Sequence, residues 1–170
     1  SIFEPTFSRN YKERIYTQYY FLNELFVLID EIYEIIKNNM TEDHIFLARQ
    51  EEGRKIVASK LPSWAENMSI LFPAKISLEQ CSSGATALYK ASLVSGESLV
   101  DLTGGFGVDC SFLSKNFTSV DYVEQNEELC QIAAHNFAAL GLNIRVNNAE
   151  SVEFLKAMPA VDCIYIDPAR

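Results

Sequence analysis

What this sequence has little of narrows it first. Its four cysteines, Cys81, Cys110, Cys130 and Cys163, stand far apart, with no C-x-x-C pair and no Cys/His spacing that would grip a metal. They read as reduced core thiols, which points to the cytoplasm and leaves metal ligation without a candidate. The two histidines, His44 and His135, fall in no motif, so no Ser/His/Asp or Cys/His set for nucleophilic catalysis can be assembled. Basic residues are scarce as well, with 14 Lys and Arg against 23 Asp and Glu and a formal net charge of −9. That excludes a strong phosphate-backbone binder in this stretch by itself, because such affinity rests on Lys and Arg neutralising phosphates. A small basic face of Arg49, Arg54, Lys55 and Lys60 is the one candidate for a local nucleic-acid contact, and a solvated helix face explains it more simply. No apolar run approaches the roughly 20 residues of a membrane span. Residues 1–14 are polar and lack the apolar core of a signal peptide.

What is present is ordinary globular composition, 48% hydrophobic and 22% charged over 170 residues, enough for one core and a helical appendage. Residues 10–39 contain neither Gly nor Pro, and Ile15, Tyr19, Leu22, Phe26, Ile29, Tyr33 and Ile36 recur at alternating spacings of four and three. They share one helical face. Phe21, Leu25, Leu28, Ile32 and Ile35 widen that face beyond a two-stranded seam, so a helix clamped in an N-terminal bundle is expected, with a dimerising coiled coil as the alternative. Thr41, followed by Glu42 and Asp43, caps a second helix that Leu61-Pro62 should stop near residue 60. Residues 64–75, between Pro62 and Pro73, read as a linker. Ser77 and Gln80 then have the spacing of a capping box, and a break near Gly84 precedes a helix through Leu93. Gln80, Ser82, Ser83 and Thr86 form either a polar lip over a ligand site or ordinary capping chemistry.

Residues 99–109 read L-V-D-L-T-G-G-F-G-V-D, an apolar strand ending in Asp101, a turn of Thr103, Gly104, Gly105, Phe106 and Gly107, and the start of a helix. Such a turn lets a ligand approach the backbone closely. Beyond it the rhythm is regular: helix 109–115, strand 119–123 ending at Glu124, helix 127–140 closed by Gly141, strand 143–146, helix 150–158, and strand 161–166 running into D-P-A-R. The fold class is therefore α/β, a Rossmann-like doubly wound parallel sheet of about four strands preceded by an N-terminal helical domain. The domains expected are 1–75, helical with the linker, and 76–170, the sheet. An uncovered last strand would leave an unpaired edge, so the sheet is expected to be incomplete and the chain a fragment of a longer protein.

In such a sheet the ligand lies beyond the carboxyl ends of the strands. Those ends carry Asp101, Glu124, the Asn147-Asn148-Ala149 turn and Asp167. Glu124, about twenty residues past the turn, suits two ribose hydroxyls, and the Asn148 amide suits an adenine edge. Asp101 suits a cationic group. A pyrophosphate on the glycine turn would be repelled by that carboxylate, and Cys110 stands where G-x-G-x-x-G needs a third small residue. A nucleotide-dependent oxidoreductase is thereby disfavoured. A non-enzymatic helical assembly module on a degenerate α/β scaffold is the other alternative.

D-L-T-G-G-F-G, V-E-Q-N and Y-I-D-P-A-R resemble successive motifs of class I S-adenosylmethionine-dependent methyltransferases. Together with K-L-P-S-W, S-L-E-Q-C-S-S and T-A-L-Y-K-A they are similar, more narrowly, to the THUMP-like-domain methyltransferases of Bacteroidetes-type bacteria. The resemblance covers residues 43–170. It implies S-adenosyl-L-methionine as cofactor, with Asp101, Thr103, Gly105 and Gly107 cradling the methionine moiety alongside Phe106, Glu124 on the ribose, and Asn148 with Ala149 on the adenine. Gln80 and Ser83 would join them from the lip. Asp167 and Pro168 stand where amino-group methyltransferases carry an Asp/Asn-Pro-Pro-aromatic motif, which makes them the catalytic candidates. Ala169 and Arg170 replace the second proline and the aromatic, so base stacking is not carried over, and Arg170 could instead meet a phosphate. The resemblance further implies RNA as partner, tRNA or rRNA, held through a C-terminal part beyond residue 170, with no membrane association. The N-terminal helix offers an oligomer contact, and this stretch alone is expected to be catalytically silent.

Overall fold

The computed structural model describes residues 9–39 and 41–168, with side chains from residue 18 onward in the first helix. Ala169 and Arg170, and with them the phosphate contact expected of Arg170, lie outside the described residues. Contacts divide the chain into two compact units, Ser1–Ile45 and Phe46–Arg170.

The first unit is α1 (Arg9–Asn39), 31 residues long, followed by the first turn of α2 (Glu42–Val57). A run without Gly or Pro favours this length, since each would cost about 1 and 3 kcal/mol in a helix interior. The N-terminus of α2 is fixed at Thr41, whose carbonyl accepts the His44 and Ile45 N–H groups. The expected burial of α1 in a bundle is not seen: its described side chains are exposed throughout, Phe26 by 64% and Tyr33 by 63%. Periodicity reports which face can be covered, not that something covers it. Among the described residues no helix is long and apolar enough to cross a membrane.

The second unit continues α2 and adds α3 (Pro62–Glu66), α4 (Lys75–Gln80) and α5 (Gly84–Ser92). Then come β1 (Gly96–Asp101), α6 (Val108–Leu113) with a 3-10 turn after it, β2 (Phe117–Glu124), α7 (Glu127–Ala139), β3 (Arg145–Asn148), α8 (Ser151–Ala157) and β4 (Cys163–Tyr165). The four strands are parallel in the order β3-β2-β1-β4, so the chain reverses its direction of winding on passing to β4. Leu99 and Tyr122 face one side, packing with Ala91, Leu113 and Phe137 from α5, α6 and α7. Val100 and Val123 face the other, where Phe154 of α8 covers them. Alternation along each strand thus covers both faces, as a doubly wound sheet requires.

A third apolar cluster corrects two expectations. Residues 64–75 are not a simple linker: Trp64 sits in the middle of the short helix α3, is only 3% exposed, and packs edge-on to Phe106 with ring centroids 5.0 Å apart. Phe72 lies tilted on the same ring at 6.0 Å. Val57, Leu61, Trp64, Phe72 and Leu78 share one cluster with Phe106 and Val108, so a boundary at 75/76 runs through the middle of a core. Ser77 lies inside α4, whose N-cap position is Ala74 without a side-chain cap, because the helix starts three residues earlier than a capping box would set it. The remaining ends shift by one to three residues, the largest at the end of α2, which closes at Val57 rather than near residue 60.

Candidate functional site

A cleft of about 750 Å³ opens beyond the carboxyl ends of β1, β2 and β4, within the second unit. That volume suits a nucleoside-sized ligand. Its floor is the turn after β1. Gly105 (φ +54°) and Gly107 (φ +82°) adopt left-handed backbone that L side chains rarely take, which is why glycine occupies both. A Cβ on Gly105 would meet nothing nearer than the Thr103 carbonyl at 3.7 Å, so that face of the turn is open, whereas one on Gly107 would stand 2.8 Å from the Phe137 ring.

The turn is braced from β2. The buried Tyr122 hydroxyl donates to the Gly105 carbonyl at 2.6 Å, and burial pushes its pKa above the ordinary phenol value, keeping it protonated. The Glu124 carboxylate accepts the Gly105 N–H at 3.0 Å and the Asn126 N–H at 2.8 Å. Each of its oxygens keeps a lone pair for a ligand hydroxyl.

Asp101, 1% exposed, lies at the bottom. Its Oδ1 accepts the Thr103 N–H at 2.9 Å and is reached by the Thr103 hydroxyl at 3.3 Å. Burial is the main reason that its pKa is pushed up to about 7; the Thr103 bonds oppose this, and Asp109 and Glu124 reinforce it through like charge. A buried carboxylate raised in this way is one that lacks a counter-cation.

Of the residues singled out in the sequence, Gln80, Asp101, Thr103, Gly105, Phe106, Gly107, Glu124, Asp167 and Pro168 all line this cleft. Phe106 contributes from within the core, since its ring is buried against Trp64. Three others do not line it. The Asn148 amide donates to the Glu124 and Gln125 carbonyls at 3.0 Å each, so it ties β3 to the end of β2. Ala149 gives its N–H to the Glu124 carbonyl at 3.1 Å and packs under α8. Ser83 is the N-cap of α5, accepting the Thr86 N–H at 3.1 Å, so capping chemistry accounts for it.

Their places are taken by Gln125 and Glu150 at the far end and Asp109 near the lip, which the sequence did not single out, together with Ser82, one of the residues expected at a polar lip. Glu150 caps α8 by accepting the Glu153 N–H at 2.9 Å, and such backbone bonds hold its pKa below the ordinary value. Its position directly after a strand end was the available signal. Beside the lip, Lys90 of α5 meets Asp109, Tyr165 and Asp167, which no spacing in the sequence announces.

Neither a protein-family model nor a curated protein sequence matches the chain. Among solved structures, it is similar to a protein of Porphyromonas gingivalis W83 described as a candidate methyltransferase. The two are 34% identical with a TM-score of 0.61, over 69% of this chain and 31% of that one. Weaker likenesses, on which nothing rests, are to the tRNA (uracil-54, C5)-methyltransferase of Pyrococcus abyssi solved with S-adenosyl-L-homocysteine (24% identity, TM-score 0.47, 53% and 23% of the two chains). A candidate RNA methyltransferase of Pyrococcus horikoshii is similar at 22% identity and the same TM-score, over 68% and 59%. This chain spans about a third of the Porphyromonas protein's length. What it shares with that protein is a Rossmann-like α/β fold.

Proposed function

We propose that the cleft binds S-adenosyl-L-methionine and that the chain is the cofactor-binding core of an S-adenosylmethionine-dependent methyltransferase acting on RNA. One observation carries the cofactor reading: a carboxylate, Asp101, buried without a counter-cation at the floor of a nucleoside-sized cleft. A cationic adenosine ligand would relieve it, and a pyrophosphate would aggravate it. The methyltransferase neighbour in Porphyromonas gingivalis supports the reaction class. RNA as acceptor rests on the resemblance to THUMP-like-domain methyltransferases, whose RNA-binding part would lie beyond residue 170.

When bound, the cofactor supplies a methyl group on a sulfonium. The residues of this chain bind and orient it. Asp101 faces its ammonium group, directly or through water, and the open side of Gly105 admits it close to the backbone. Glu124 accepts from the ribose hydroxyls with the lone pairs that the Gly105 and Asn126 N–H groups leave. Gln125 and Glu150 offer polar partners to the base in place of Asn148. Asp167 and Pro168 stand at the mouth, on the acceptor side. Displacement at a sulfonium methyl depends on alignment and needs no nucleophilic side chain, so the lack of a catalytic triad is no obstacle.

Calorimetric titration of the chain with S-adenosylhomocysteine and with NAD tests this. The thioether product is the better probe because it keeps the ammonium and the nucleoside. Binding of S-adenosylhomocysteine with no heat from NAD is the expected result. Binding of NAD alone would establish the oxidoreductase alternative, and binding of neither would favour the helical assembly module.

A further inference from the structure

The densest polar cluster outside the cofactor contacts centres on Lys90. Its Nζ lies 2.7 Å from Asp167 Oδ2, 2.9 Å from Asp109 Oδ2, 2.6 Å from the Tyr165 hydroxyl and 3.1 Å from Ser82 Oγ. The Ser82 hydroxyl donates to Asp109 Oδ2 at 2.9 Å. The Tyr165 hydroxyl stands 2.9 Å from Asp109 Oδ2 and 3.2 Å from Asp167 Oδ2. One ammonium therefore joins three segments around the mouth of the cleft: α5 with its lead-in, the start of α6, and the end of β4.

Stability alone does not explain this arrangement. The Lys90–Asp109 pair, with side chains 24% and 15% exposed, is shielded enough to stabilise the fold, but the arm to Asp167, whose side chain is 56% exposed, contributes little. Ordering a lysine against several partners also costs side-chain entropy. What the cluster does achieve is placement. Asp167 is held at both ends, its N–H by Thr103 Oγ1 at 2.8 Å and its carboxylate by Lys90. The same Thr103 hydroxyl reaches Asp101, so the two carboxylates that face opposite ends of the transfer share one rigid support.

We propose that Lys90 is a positioning residue for Asp167, holding its carboxylate charged and fixed at the cleft mouth, where it accepts a hydrogen bond from an N–H donor on the group to be methylated. This rests on the methyltransferase reading above. Burial would depress the Lys90 ammonium, but hydrogen bonds to Asp167, Tyr165 and Asp109 outweigh it and raise its pKa above the ordinary lysine value, so the cation persists at any working pH. With that cation beside it, Asp167 is a poor base and a good acceptor. The substrate class that follows is a neutral nitrogen with a lone pair and an N–H, such as an exocyclic amine: its lone pair forms the N–C bond as the sulfonium S–C bond breaks to leave the thioether, and the proton of the resulting ammonium passes to water. An alcohol, which must be deprotonated to attack, does not suit it.

The groups facing Asp167 include Lys90 from α5, Asp109 from α6 and Tyr165 from β4, with Asp101 and Glu124 lining the same cleft. Replacing the cation by a neutral chain of similar length, Lys90→Met, leaves two carboxylates about one hydroxyl. Asp167 then holds a proton more tightly than in the native chain. The readout is the side-chain carboxyl carbon shift of Asp167, which reports its own protonation rather than that of Asp101, followed by NMR from about pH 5 to 9, with S-adenosylhomocysteine affinity measured alongside.

The expected result is a flat profile in the native chain, an inflection in Lys90→Met, a flat profile again in Lys90→Arg, and cofactor-product affinity within about threefold in all three. A flat profile in Lys90→Met, or an inflection in the native chain, would overturn the proposal. An inflection accompanied by loss of S-adenosylhomocysteine binding in Lys90→Met would overturn it too, by showing that Lys90 supports the whole cleft. Failure of the native chain to bind S-adenosylhomocysteine while the pH profiles hold would instead count against the methyltransferase reading.

Discussion

Replacing Asp101 by Asn keeps the oxygen that the Thr103 N–H and hydroxyl approach and removes the buried charge. The consequence depends on pH. Well below the carboxyl's ordinary pKa of 3.8 it is neutral in folded and unfolded chains alike and costs nothing. Between there and its folded value of about 7, the unfolded chain has released a proton that the folded chain retains, so rising pH favours unfolding. Above about 7 the folded carboxyl ionises as well, and the loss levels off at about 4 kcal/mol, from roughly 1.4 kcal/mol per pH unit. The Asn variant lacks this slope. Its stability relative to the native chain should therefore grow by about 2 to 3 kcal/mol between about pH 5 and pH 8. Urea denaturation is a convenient assay, because the single tryptophan, Trp64, is 3% exposed and its fluorescence reports loss of the core. A difference that stays constant or shrinks over that range would refute the reasoning, since it would mean that Asp101 is not held uncompensated in the folded state.

Other substitutions probe the support of the site. Gly107→Ala, forced to keep φ +82° with a Cβ 2.8 Å from the Phe137 ring, should cost about 2 to 4 kcal/mol in the same denaturation assay. Asn136→Ala should cost a similar amount, about 2 to 4 kcal/mol, because the fully buried amide satisfies both the N–H and the carbonyl of Leu71 at 2.9 Å each. Asn148→Ala should lower the melting temperature by a few degrees, on the order of 1 kcal/mol, yet change S-adenosylhomocysteine affinity by less than about threefold. A large loss of affinity in calorimetry would return Asn148 to the binding surface.

The sheet was legible in the sequence because its signals are local. Strand ends in Asp101, Glu124 and Asp167, a glycine turn after the first of them, and Gly141 closing α7 at φ +68° all fall where local chemistry puts them. Trp64 was misplaced because its burial depends on Phe106, over forty residues away, which no window around Pro62 and Pro73 contains. That Asn148 does not line the cleft was hidden for the opposite reason. A strand-end amide can face the ligand or the neighbouring strand, and only the position of the Glu124 and Gln125 carbonyls decides between them. The Lys90 cluster was invisible for the same cause, joining residues up to 77 positions apart. The apolar face of α1 was read correctly as a helix and incorrectly as a buried one, since periodicity carries no information about a partner.

The claim on which the account turns is that a cationic adenosine ligand sits between Asp101 and Glu124. Titrating the isotopically labelled chain with S-adenosylhomocysteine and mapping the amide shifts tests it directly. The account predicts the largest shifts at Thr103, Gly105 and Gly107 and at Gln125 and Asn126 beside Glu124, with little change in α1. Saturable shifts confined to α1 or to the basic face of α2, or no shifts at concentrations that saturate a methyltransferase, would contradict it.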